Sequence, residues 1–122
     1  MHTSNILGMK KIFAIFIATF LFVFNANAYV DRATAVVDIL DKTSGKNHVL
    51  NVPVNQDTPY EKLNLLVRSC KQTDPFEAEN AFMFIEISQS NNMIFSGWMN
   101  KNEPGENPLQ NADYDIWLVR CE

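Results

Sequence analysis

The sequence predicts an all-β fold: a small antiparallel β-sandwich or partly open barrel of about six strands, stapled by a disulfide and preceded by a cleavable signal-peptide helix. Three observations lead there. Apolar and β-branched runs of seven or eight residues recur at short spacing between turn residues. Beyond the first 28 residues no segment sustains a 3.6-residue apolar period. Both cysteines, Cys70 and Cys121, follow a segment that reads as a secretory leader.

In that leader, Lys10 and Lys11 precede an apolar run from Ile12 to Phe24, and Asn25-Ala26-Asn27-Ala28 then offers small residues where a signal peptidase reads. Cleavage is expected after Ala28. The apolar run of 13 residues spans roughly 20 Å as a helix, short of the roughly 30 Å hydrocarbon core. No cysteine follows the cleavage site, so neither a membrane nor a lipid anchor is expected to remain. Initiation at Met9 instead of Met1 would leave a compact leader of 20 residues. The expected product is one all-β domain over 29–122, exported to the periplasm of a bacterial host.

Loss of Lys10 and Lys11 moves the net charge from −4 for the chain of 122 residues to −6 for residues 29–122, with eight Lys and Arg against fourteen Asp and Glu. An acidic surface repels phosphate backbones and anionic headgroups, so no nucleic acid is expected as a partner, and a basic protein is favoured. Hydrophobic residues at 47% and charged residues at 20% describe a globular chain and exclude a disordered tail. In an oxidising compartment Cys70 and Cys121 pair, closing a loop of about 52 residues. The chain-entropy model assigns that closure about 4 kcal/mol.

The elements follow in order. Ala33 to Leu40 is β-branched and apolar, Asp41 to Lys46 is turn material, and His48 to Val54 resumes an extended pattern, which makes a first hairpin. Pro53 lacks an N–H, so this second strand ends or lies at an edge there. Leu63 to Cys70 is apolar on both faces, with Leu63, Leu65 and Val67 on one and Leu66 and Cys70 on the other, and is expected to be central. Ala81 to Ile87, a turn at Ser90-Asn91-Asn92, and Met93 to Met99 form a second hairpin. Residues 100–113 carry Pro104-Gly105 and Pro108 without periodicity and form a long loop, a length that tends to be functional. Tyr114 to Arg120 is the last strand, and alternation puts Trp117, Val119 and Cys121 on one face against Tyr114, Ile116 and Leu118 on the other.

Phe95-Ser96-Gly97-Trp98-Met99, Asn107-Pro108-Leu109 and Tyr114-Asp115-Ile116-Trp117-Leu118 running into Cys121, with Val52-Pro53-Val54 and Leu63 through Cys70 upstream, resemble a family of small exported alphaproteobacterial proteins, domain of unknown function 2155. The resemblance covers almost all of residues 29–122. It implies an envelope protein with a cysteine pair at Cys70 and Cys121, and no established activity, substrate or partner. In members of that family a His-Pro pair often precedes the Tyr-Asp, where this chain has Ala112-Asp113, so the resemblance implies no histidine role in the loop.

Catalytic equipment is missing from the residues. There is no Gly-x-Ser-x-Gly elbow, since Ser96-Gly97 lies within a strand. His48 is the one histidine after the leader, and Gly45, Gly97 and Gly105 make no phosphate-cradling loop. Asp113 and Asp115 lack further oxygen ligands for a cation, so no metal and no cofactor is expected. What remains is aromatic: Trp98, Tyr114 and Trp117 bracket the 100–113 loop, and such residues dominate binding hot spots. Gly97 suggests a bulge or close approach that could turn Trp98 outward, while Trp117 is expected to pack in the core beside the disulfide. The binding candidates are therefore Trp98, Asn102, Gln110, Tyr114 and Asp115. The expected function is a non-catalytic interaction module for another envelope protein; the alternative is an inhibitor or binder of a wall-active enzyme or glycan.

Overall fold

The computed structural model describes residues 29–122; the expected leader, with the expected cleavage position at Ala28, lies outside the described residues. These fold into eight strands: β1 (Tyr29–Asp31), β2 (Thr34–Asp41), β3 (Lys46–Pro53), β4 (Thr58–Tyr60), β5 (Leu63–Thr73), β6 (Ala81–Gln89), β7 (Asn92–Asn100) and β8 (Tyr114–Cys121). All pairings are antiparallel. One sheet runs β1-β5-β6-β7, with β4 also paired to β5, and the other runs β3-β2-β8. The two sheets stack as a sandwich and do not close into a barrel. Between them lies one apolar cluster, built from Val37, Ile39, Leu65, Met83, Ile85, Ile116 and their neighbours.

Six of the eight strands coincide with the apolar runs. The other two, β1 and β4, have three residues each and cover the two ends of the same flank of β5. Neither carries an apolar pattern of its own, and Pro59 sits inside β4, where an edge position tolerates it. As expected, β5 is central and β3 is an edge strand ending at Pro53.

The hairpin turns follow from local chemistry. Between β2 and β3 the Asp41 carboxylate accepts from the Thr43 N–H at 2.9 Å and from the Thr43 hydroxyl. The hydroxyl bond, followed by the backbone bonds, holds the Asp41 carboxyl below the usual range. Gly45 then takes a left-handed φ of 73°. Between β6 and β7, Ser90 and Asn91 both have positive φ, 51° and 65°. Two such residues make the primed turn whose twist suits a two-residue hairpin loop.

Both cysteine faces differ from simple alternation, for one reason. In β5, Val67 pairs with Ile85 and Ser69 with Phe84, leaving Arg68 as an extra, bulged residue. In β8, Leu118 pairs with Val37 and Arg120 with Val36, leaving Val119 extra. Each bulge reverses the side-chain parity beyond it. Cys70 therefore joins Leu63, Leu65 and Val67 in the core instead of Leu66, and Cys121 joins Tyr114, Ile116 and Leu118. Trp117 moves to the outer face, opposite Asp38, and does not pack in the core beside the disulfide. The Cys70–Cys121 bond forms with a Cα separation of 5.6 Å, within the ordinary range. It joins the two sheets through the core, and the Cys121 N–H donates to Gln72 Oε1 at 2.9 Å.

Candidate functional site

Residues 101–113 carry the chain from β7, the edge of one sheet, to β8, the edge of the other. The segment is pinned at three places. At its start, the Lys101 N–H donates to the Ala81 carbonyl at 2.9 Å, Lys101 Nζ pairs with Glu79 at 2.6 Å, and Asn102 Nδ2 donates to the Glu79 carbonyl at 2.9 Å. The hydrogen bond and charge of Lys101 hold the Glu79 carboxyl below its usual range. In the middle, Leu109 inserts into the core cluster. At the end, Asn111 Oδ1 accepts from the N–H groups of Asp113 and Tyr114 at 2.9 and 3.1 Å, and Lys42 Nζ donates to the Asn111 carbonyl at 2.7 Å.

One further contact shapes the surface. Asn107 Nδ2 donates to the Trp98 carbonyl at 3.1 Å, and the same amide crosses over Gly97 so closely that a Cβ there would stand 2.9 Å from it. The close approach expected at Gly97 is thus made by Asn107. The bulge of this hairpin lies elsewhere, at Ile94, which the β6–β7 register skips.

Met83, Ile85 and Ile87 face the core, so Phe82, Phe84 and Glu86 face outward from the five-stranded sheet. Trp98 pairs with Phe84 across the strands, and the two rings meet edge to face at 5.5 Å. Tyr29 meets Phe82 in the same way at 5.1 Å. Trp98 keeps 45% of its surface exposed. Beside it, where the loop folds back along β7, is a groove of about 510 Å³ lined by Phe82, Gly97, Trp98, Asn100, Glu106 and Asn107. A smaller hollow of about 260 Å³ lies on the other side of the loop, against Asp115, Ile116 and Trp117.

The expected binding residues divide. Trp98 lines the larger groove and Asp115 the smaller, where its carboxylate pairs with Lys42 Nζ at 3.1 Å. Asn102 is exposed but serves the clasp to Glu79, and Gln110 is exposed at the outside of the loop. Tyr114 is placed in the core instead of on the surface, 4% exposed. Its hydroxyl donates to Glu61 Oε2 at 2.5 Å. That bond, then burial, then the Glu61 charge, push the phenol up to about 12. Tyr114 also meets Tyr60 edge to face at 6.3 Å, and Tyr60 meets His48 at 5.9 Å, so these rings close one end of the sandwich.

Phe82, Phe84, Asn107 and Glu106 are members of the site that sequence reasoning missed. For the two phenylalanines a signal exists, since Phe-x-Phe alternates with Met83, Ile85 and Ile87; the unbroken apolar run concealed it. Nothing in the sequence pairs Asn107 with Gly97. Among the described residues no group of three or more His, Cys, Asp or Glu side chains is close enough to hold a metal ion.

The model of a family described as an uncharacterized protein conserved in bacteria, DUF2155, matches residues 35–121, and the chain belongs to that family. The description names no activity, location or partner. No curated protein and no solved structure matches the chain.

Proposed function

For this member of the DUF2155 family we propose the role of a non-catalytic protein-interaction module of the cell envelope, reached by export and cleavage after Ala28. The observation that carries the reading is Trp98. A large aromatic side chain is held in one orientation against Phe84, half in solvent, at the rim of a groove that the pinned 101–113 loop completes. A rigid, exposed tryptophan at a concave rim has the form of a binding anchor. The buried disulfide supports the location, because such bonds persist in oxidising compartments.

The alternative, a glycan-binding or wall-enzyme-inhibiting role, is favoured by the two asparagine amides beside the aromatic rings. Photo-crosslinking in the native envelope separates the two. With probes placed in turn at Trp98, Asn102 and Gln110, and a control at exposed Val49 on the three-stranded sheet, the module reading expects a discrete protein adduct from the loop side alone. Absence of an adduct at every loop position would overturn it.

A further inference from the structure

The Trp98 groove carries more charge information than an anchoring role requires. Among the described residues Glu106 is the one charged group in its lining. Glu106 and Glu103 leave the same turn, in which the Glu106 N–H donates to the Glu103 carbonyl at 3.1 Å. The ion pairs among the described residues use other acids, namely Asp115, Glu86, Asp31, Glu79 and Glu122. Glu106 in the groove lining, and Glu103 beside it in the turn, therefore have no basic partner among the described residues. Their shared hydrogen bond and mutual repulsion hold the Glu106 carboxyl above its usual range. Asn107 has its amide N–H committed to the Trp98 carbonyl, which leaves its Oδ1 as an acceptor. The groove thus combines an aromatic wall, surplus negative charge and amide acceptors.

We propose that the groove binds an arginine side chain presented by a basic segment of a partner protein, with the guanidinium against Trp98 and its N–H groups donating to Glu106. The inference rests on the interaction-module reading and names the chemistry of the partner. Guanidinium is planar, stacks on indole and donates in a fork that matches carboxylate. A volume of about 510 Å³ suits one long side chain with its flanking peptide. The −6 charge of residues 29–122 attracts such a segment from a distance. A neutral sugar would use the rings and amides and could donate hydroxyls to the carboxylates, but it carries no charge to compensate theirs.

The test is an NMR titration of the protein spanning residues 29–122, prepared by cleavage of the exported chain, that follows the Trp98 indole N–H. The probe is the peptide acetyl-Gly-Arg-Gly-Arg-Gly-amide, and its controls are the isosteric, uncharged citrulline peptide and chitotriose. The arginine peptide is expected to shift the Trp98 signal with millimolar affinity, as a single exposed cation–π contact with a screened ion pair implies. Binding should weaken about threefold to tenfold in a Glu103→Gln/Glu106→Gln variant, and fall as salt is raised. The Trp98→Ala variant, checked for an unchanged fold by its remaining spectrum, should show no arginine-dependent shift of the backbone N–H signals of Gly97, Asn100 and Asn107, which the wild-type groove shows alongside the indole. No shift, an equal shift with citrulline, or a shift with chitotriose alone would each overturn the inference. A protein adduct from the crosslinking experiment together with any of those results refutes the arginine groove and leaves the module reading standing.

Discussion

Replacing both cysteines, Cys70→Ala/Cys121→Ala, tests how far the inter-sheet bond holds this fold together. Its two residues are 51 apart in sequence, so the unfolded chain without it gains the freedom of a loop of about 52 residues. In the chain-entropy model this is about 14 cal/mol/K, or about 4 kcal/mol at 25 °C. Ion pairs do not make up the loss, because the five among the described residues lie in partly exposed positions, where each contributes about 0–1 kcal/mol. For the 94 residues after Ala28, an unfolding entropy of roughly 0.2 kcal/mol/K converts 4 kcal/mol into a Tm lower by about 20 °C. Circular dichroism melts of the oxidised protein, the reduced protein and the double variant measure it. The reduced protein and the variant should agree within a few degrees, since Cys70 and Cys121 are both buried and alanine vacates only two sulfur atoms. A fall below about 5 °C would refute the reasoning, showing that packing between the sheets already restrains the chain as the bond does.

Tyr114→Phe removes the hydroxyl bond to exposed Glu61 and should cost about 1 kcal/mol in urea unfolding, below the roughly 1.5–3 kcal/mol of a bond to a charged group because Glu61 regains water. Because the folded phenol titrates near 12 and an unfolded one near 10, its contribution is complete below about pH 10 and is lost as pH rises toward 12. The Phe variant should show a shallower alkaline decline over that window; an unchanged slope would contradict the bond. Gly97→Ala forces the Asn107 amide off the Trp98 carbonyl and should destabilise by roughly 0.5–1 kcal/mol in the wild-type background. In an Asn107→Ala background the same change should be neutral or stabilising, and additivity of the two in a double-mutant cycle would show that the contact is not made. Asp38 Oδ1 is shielded from solvent and has no hydrogen-bond partner among the described residues, between Val49 and Trp117. Asp38→Val should raise the urea midpoint by the equivalent of about 1 kcal/mol, and a lowered midpoint would mean that this oxygen is paired.

The strands were legible wherever each carried its own apolar run and turn residues: β2, β3, β5, β6, β7 and β8, with the hairpins at Gly45 and at Ser90-Asn91. Local propensity and side-chain period suffice for these, since both are properties of consecutive residues. The cysteine pair was legible for the same kind of reason, there being two cysteines in the sequence, both after a segment that reads as a leader. The short strands β1 and β4 were not, because what makes them strands is the flank of β5 and not their own residues. Nor was the facing of Cys70, Cys121 and Trp117. A strand read alone alternates without interruption; only pairing with its neighbour shows that Arg68 and Val119 are extra and that parity reverses beyond them. The candidate site divides in the same way. The chain order marked Trp98 and the 100–113 loop, while the outward turn of Phe82 and Phe84, the Asn107 amide over Gly97 and the placing of Glu106 beside the indole depend on which strands become edges. That is decided when two sheets close over one core, and no stretch of consecutive residues contains it.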